Sequence, residues 1–291
     1  MMTKEYPKRE TYLYNENKIQ IEYSIIGTGE PILLFHGGHS NCQEEFGYKE
    51  ILENGYCIIT PSRAGYGETS YIIGETLQTA IQAYAKLLEH LQLDKVHVIA
   101  VSAGGPSGIF FASCYPERVK SLTLQSAVTK EWLTSKDKEY KVAKMLFHPS
   151  VEKYTWKVMN TFNTLFPRFI FKQMVPSFST LPYTEVTTYI EEDIEMIRQM
   201  NSRQRSGRGF MLDLMQTGDI SNLDLQRITC PTLILHSKND HAVQMEHPNH
   251  AHAYIPNSTL CILDTWGHLI WLGKGSEKTH EELIAFLKKS K

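Results

Sequence analysis

The sequence contains no apolar run long enough to span a bilayer, and its opening residues, Met1-Met2-Thr3-Lys4-Glu5-Tyr6, lack the hydrophobic stretch of a secretory signal. Both absences predict a cytoplasmic chain. Cysteines are few and unpatterned: the five, at positions 42, 57, 114, 230 and 261, are odd in number and nowhere spaced C-x-x-C, so they suggest neither a disulfide framework nor a zinc site. Cys57, Cys230 and Cys261 lie in or beside apolar runs and are expected to serve as small core residues. An excess of one charge is also missing, since 30 Lys and Arg face 32 Asp and Glu, for a net −2 and a pI near 6.6. That balance gives no electrostatic reason to expect nucleic acid or an anionic membrane as partner. Repeats and low-complexity tracts are absent as well.

What is present is 291 residues, 42% hydrophobic and 21% charged, enough for one large core or a core plus an insertion. Residues Tyr12 to Ile26 alternate around Asn15-Glu16-Asn17 and read as an edge hairpin. Pro31 to Phe35 is a buried strand that empties into His36-Gly37-Gly38-His39-Ser40, a glycine pair able to turn bare N–H groups toward a ligand. A helix around Glu44 to Glu53, a strand Tyr56 to Thr60, a Pro- and Gly-bent loop Pro61 to Ser70 and an amphipathic helix Glu75 to Leu91 follow. After the strand Val96 to Val101 come a helix Ser107 to Tyr115 and a strand Val119 to Gln125. This alternation predicts an α/β fold, a mostly parallel sheet covered on both faces by helices.

Between about Lys130 and Gly218 the alternation stops, and helical patterns broken at Pro149, Pro167, Pro176 and Pro182 take over. Seven of the ten methionines fall here, which predicts a soft interior, either the segment's own core or the lining of a pocket. The segment reads as a helical lid, residues 130–218, inserted into a core made of 1–129 and 219–291. Gly207 and Gly209, beside Arg205 and Arg208, mark a solvated loop rather than a hinge. Alternation resumes with a strand Cys230 to His236 ending in Ser237-Lys238-Asn239-Asp240, a helix Glu246 to Tyr254, a strand Thr259 to Leu263, the loop Asp264-Thr265-Trp266-Gly267-His268 and a closing helix Glu277 to Lys289.

Chemistry concentrates at Ala100-Val101-Ser102-Ala103-Gly104. A strand that turns abruptly into a helix around one serine needs small residues two before and two after it, and Ser102 is the only serine with glycine two positions on. A serine hydroxyl needs a base, and the base needs an acid that fixes its tautomer. Asp240 and His268 stand at the ends of the last two strands, in the chain order Ser, Asp, His. His247, His250 and His252 lie on a helix expected at the surface, and their spacing keeps them off one face, so no metal site is predicted. Asp264 is expected to shape the loop before His268, and His241 to be a loop residue. Charge on a tetrahedral intermediate would be met by the N–H of Ala103, at a helix N-terminus, and by that of Gly38, with His36 propping the glycine loop.

Through His36-Gly37-Gly38, Ser62-Arg63-Ala64-Gly65-Tyr66-Gly67, Ala100 to Gly104, Asp240 and Gly267-His268, the chain resembles the α/β-hydrolase fold superfamily in its lid-bearing serine hydrolase branch. The resemblance covers Pro31 to Ser126 and Leu223 to the C-terminus. It implies a nucleophile at Ser102, an acid at Asp240, a base at His268 and oxyanion amides at Gly38 and Ala103. Two departures stand out: Ala100 replaces the first elbow glycine, and Ser62 stands where relatives often carry Asp in D-x-R-G-x-G. A serine nucleophile argues against the branches that attack through a carboxylate. The expected activity is cofactor-free cleavage of a small apolar ester, with an amide or C–C bond as alternatives. An acyltransferase or perhydrolase-like enzyme using the same acyl-enzyme, and a slow-turnover ligand receptor on this scaffold, also remain open.

Overall fold

The β-branched and aromatic runs form one eight-stranded sheet from β1 (Glu10–Glu16), β2 (Ile19–Gly27), β3 (Glu30–Phe35), β4 (Tyr56–Pro61), β5 (Val96–Val101), β6 (Val119–Gln125), β7 (Thr232–Ser237) and β8 (Ser258–Leu263). This is a computed structural model, and it describes residues 8–134, 136–190 and 193–290. The leader-free reading of the N-terminus rests on residues outside that range. The spatial order is β1-β2-β4-β3-β5-β6-β7-β8. The first two strands are antiparallel to each other, and β2 is antiparallel to β4; every other pairing is parallel. The α/β fold is therefore as expected. The hairpin turn falls on Asn17 and Lys18, both at positive φ, so Asn15 and Glu16 stay in the ladder opposite Gln20 and Ile19. Two left-handed residues in a row match the twist of the flanking strands.

Helices α1 (Tyr48–Glu53), α2 (Leu77–His90) and α3 (Gly105–Cys114) lie among the first six strands. The first is shorter than expected because Glu44 leaves the helical path and is buried in an ion pair with Arg203, 2.7 Å away. Between β6 and β7 stand α4 (Lys138–Leu146), α5 (Glu152–Leu165), α6 (Pro167–Phe178), α7 (Tyr183–Ile190), α8 (Ile194–Arg203), α9 (Gly209–Gln216) and α10 (Asn222–Gln226), followed after β7 by α11 (Glu246–Tyr254) and after β8 by α12 (Ser276–Lys289). One face of the sheet is packed by α2, α3 and α11, the other by α1, α12 and the inserted α6 and α8. A smaller cluster joins Tyr66 of the core to Phe210 and Leu214 of α9. The insertion's methionines divide: Met200 is buried, whereas Met145, Met196 and Met215 are exposed, so only part of the expected soft interior exists. Of the cysteines, Cys230 is buried and Cys57 and Cys261 are half-buried in their strands.

Because β3 lies between β4 and β5, the chain leaves β3 to one side and later returns to the other. Loops after β3 and β5 therefore diverge across a crevice, the switch point where open α/β sheets bind ligands. His36 to His39 and Ser102 sit there.

His247 departs from its expected place on the surface. It is buried, its Nδ1 accepts the Thr129 N–H at 3.1 Å, and burial pushes its pKa down from 6.5 to about 4. An acceptor to a buried N–H must stay neutral. Between about pH 4 and 6.5 the unfolded chain binds more protons than the folded one, so this stability rises with pH and is lost as pH falls through that window. His247→Asn keeps an acceptor without the titration. Urea unfolding at pH 7, 6 and 5 should show the variant losing about 0.7 kcal/mol less than the parent between pH 7 and 6 and about 1.2 kcal/mol less between pH 6 and 5.

Candidate active site

The strand β5 is buried along its whole length and ends at Ser102, whose φ of 51° puts a non-glycine residue in the left-handed region. A single 3-10 turn, Ser102–Gly104, then leads into α3. The turn passes so close beneath β3 that a Cβ at Gly104 would lie 2.3 Å from the Phe35 carbonyl oxygen. One turn on, a Cβ at Gly108 would lie 2.5 Å from the Cβ of Ala100. The extra methyl of Ala100 is therefore accommodated because α3 presents glycine to it.

Three expected side chains meet above the strand ends. His268 Nε2 is 2.9 Å from Ser102 Oγ, and its Nδ1 is 2.8 Å from Asp240 Oδ2. With the proton on Nδ1 donated to the carboxylate, Nε2 offers its lone pair to the serine hydroxyl. Asp240 is buried, and its other oxygen accepts the Val243 N–H at 2.9 Å. His268 is fixed at its backbone, where its N–H donates to Phe178 O of α6 at 2.9 Å and its carbonyl accepts the Ser126 hydroxyl at 2.8 Å. A second buried histidine, His236, donates from Nε2 to Val243 O at 2.8 Å; burial lowers its pKa, so it stays neutral beside Asp240. Asp264 instead forms an exposed pair with Lys238.

Gly38 and Ala103 adjoin, since a Cβ built on Gly38 would lie 3.7 Å from that of Ala103. The loop carrying Gly38 is held from below. His36 Nε2 accepts the Arg63 N–H at 2.9 Å, which leaves Nδ1 to donate to Gly37 O at 2.7 Å. Complete burial, with the Arg63 charge beside it, drives the His36 pKa well below 6.5. Arg63 donates from Nε to His36 O at 2.7 Å and from a terminal nitrogen to Gly37 O at 3.2 Å. The same guanidinium forms a two-point ion pair with Asp213 of α9, and Tyr66 donates its hydroxyl to that carboxylate at 2.6 Å. Burial works against the Arg63 charge, but Asp213 outweighs it and leaves the pKa raised. Ser62, the departure from the family's Asp, donates to Glu22 Oε2 at 2.6 Å and accepts the Cys42 N–H at 3.0 Å, so strand β2 supplies the carboxylate that the loop lacks.

Above the loop, His39 packs against Phe147, Trp156 and Phe210, all from the insertion. Trp156 Nε1 donates to Ser206 Oγ at 2.7 Å, and the same Ser206 hydroxyl is hydrogen-bonded to His39 Nδ1 at 2.8 Å. Burial pushes the His39 pKa to about 3. The stretch around Gly207 and Gly209 is a packed seam instead of a solvated loop: Arg205 N–H donates to His39 O at 2.8 Å, and the Arg208 and Gly209 amides both donate to Gly65 O. Sequence reasoning missed Asp213, Phe210 and the role of Arg63. A single carboxylate within the apolar helix Gly-Phe-Met-Leu-Asp-Leu-Met-Gln was a signal for a buried, paired charge.

Removing one partner of a buried ion pair strands the other charge. Asp213→Ala should cost about 3–5 kcal/mol in urea unfolding, whereas the double replacement Arg63→Met, Asp213→Leu should cost clearly less.

The sequence profile of the alpha/beta hydrolase fold matches residues 30–274. A Bacillus subtilis (strain 168) protein named "Uncharacterized hydrolase YcgS" is 58% identical over 268 residues, 92% of this chain and 94% of that protein. The 2-hydroxy-6-oxononadienedioate/2-hydroxy-6-oxononatrienedioate hydrolase 2 of Pseudomonas putida is 24% identical over 87% of this chain and 86% of its own length. Among solved structures, the alpha/beta hydrolase fold protein from Nakamurella multipartita superposes with a TM-score of 0.83 at 24% identity, covering 96% of this chain and 99% of that one. With that match across most of its length, the chain is a hydrolase that belongs to the α/β-hydrolase fold family.

Proposed function

We propose that the chain is a serine hydrolase that cleaves a small apolar ester through an acyl-enzyme. The observation that carries this reading is the His268 ring bridging Ser102 Oγ at 2.9 Å and Asp240 Oδ2 at 2.8 Å. In this reading Ser102 Oγ bonds to the acyl carbon while its proton passes to His268 Nε2. Asp240 steadies the imidazolium that forms, and the Gly38 and Ala103 N–H groups face the oxyanion. Collapse breaks the bond to the alcohol, which leaves with the proton from Nε2. Water then attacks the acyl carbon, giving up a proton to Nε2, and collapse breaks the bond to Ser102 Oγ, which takes that proton back as the acid leaves. The groups involved are the chain's own, and no cofactor enters.

The helical insertion serves as a lid whose aromatic underside selects the acyl group. Support for this comes from Phe210, within van der Waals reach of a Cβ on Gly38, and from the Phe178 ring, 5.8 Å from that of His268. Both belong to insertion helices. The Pseudomonas putida relative, whose name gives a doubly acidic substrate, favours a dicarboxylate substrate as a second reading. Against it, Arg63 is already engaged by Asp213 and two carbonyls, so that cation is not offered to a substrate carboxylate. An acyl-enzyme can equally pass to an alcohol, thiol or peroxide.

Ser102→Ala should keep the parent's thermal unfolding midpoint and lose about 10⁴-fold or more in kcat on a short aryl ester. A fluorophosphonate should label the parent at Ser102 and leave the variant unmodified. Full activity in Ser102→Ala would overturn the nucleophile, and a parent that stays unlabelled would favour a binding role. Product analysis with competing methanol separates hydrolysis from acyl transfer.

A further inference from the structure

Helix α5 is turned inside out. Its inward positions carry Glu152, Trp156 and Asn163, all buried, with Glu152 paired to Arg205 at 2.7 Å and Asn163 donating to Arg198 O at 2.8 Å. Its outward positions Tyr154, Val158, Phe162 and Leu165, spaced four, four and three apart, fall on one face and are 59%, 56%, 47% and 63% exposed. A surface helix ordinarily shows the reverse pattern. The apolar face extends to Phe169 of α6 and, where the Thr155 hydroxyl donates to Leu146 O at the end of α4, to Met145. Contiguous exposed apolar surface of this kind marks a binding face.

We propose that the outer face of α4, α5 and α6 docks onto the surface of an anionic phospholipid membrane. Charge selects this occupant. The three helices carry seven Lys and Arg against two acids, one of which is the buried Glu152, although the whole chain has a net charge of −2. Lys144, Lys153, Lys157 and Lys172 are exposed, so the apolar stripe has cations along its flanks. Aromatic and aliphatic side chains enter between headgroups while flanking lysines meet phosphates, the arrangement of an interfacial helix. The 14-residue α5 lies along such a surface, and among the described residues no helix is long and apolar enough to cross one. A second copy seated face to face would set lysines against lysines. Net charge hid this face by averaging it with the acidic remainder. The inner side of α4, through Tyr140 and Ala143, packs with Phe147 just beyond it in the cluster around Phe210, so a docked α4 stands between lipid and the Gly38 loop.

The docking is independent of the proposed catalytic roles. It is tested by co-sedimenting the full chain, and separately Ser102→Ala, with vesicles of phosphatidylglycerol and phosphatidylcholine or of phosphatidylcholine alone. The expected result is binding to the anionic vesicles about tenfold tighter than to the neutral ones, and weakening as salt is raised. Val158→Asp with Phe162→Asp, and Lys153→Glu with Lys157→Glu, should each lose about tenfold in that binding. All four positions are exposed, so thermal unfolding and turnover of a water-soluble aryl ester should match the parent. Failure to sediment with anionic vesicles, or equal binding by the Val158→Asp, Phe162→Asp variant, overturns the proposal. So does a dimer in light scattering that this variant dissociates.

Discussion

The left-handed backbone at Ser102 is the constraint on which the rest of the site depends. Such a conformation costs a β-carbon-bearing residue about 1–3 kcal/mol and survives only where its surroundings leave no alternative. Here the strand below is buried, the Val128 N–H holds the Ser102 carbonyl at 2.9 Å, and the turn at Gly104 lies hard against the backbone of β3. The turn lifts the serine hydroxyl clear of the sheet edge. Only from that position does it meet an imidazole arriving from the far side of β7.

A second constraint ties the insertion to the sheet. Arg63 is a core residue whose charge is balanced by Asp213 from α9, while its other donors hold the His36 and Gly37 carbonyls. A buried ion pair adds little net stability once desolvation is counted, but breaking it is expensive, so it fixes one arrangement over others. The Arg203 to Glu44 pair and the Arg205 amide on His39 O repeat the tie nearby. The glycine loop therefore takes its shape from both parts of the molecule, and movement of α9 would be felt at Gly37 and Gly38.

Much of this could be read along the chain. Strand and helix alternation is a local consequence of side-chain periodicity, so the α/β class and the order of elements were visible. Ser102, Asp240 and His268 were visible because each lies in the loop or turn that follows a strand in the parallel part of the sheet, and parallel strands bring their C-terminal ends to one edge. Boundaries set by competing contacts were not: the helix expected from Glu44 starts at Tyr48, and His247, expected at the surface, is buried under Thr129.

The residues by themselves determined the class of fold and the three side chains brought to one edge, because both follow from local pattern and the geometry of parallel strands. Only the tertiary structure decided the partner of Arg63, the burial of His39 and His247, and the outward apolar face of α5. Each of these depends on which surface of an element meets which neighbour. Helical periodicity states that a face is apolar and is silent on whether it looks inward.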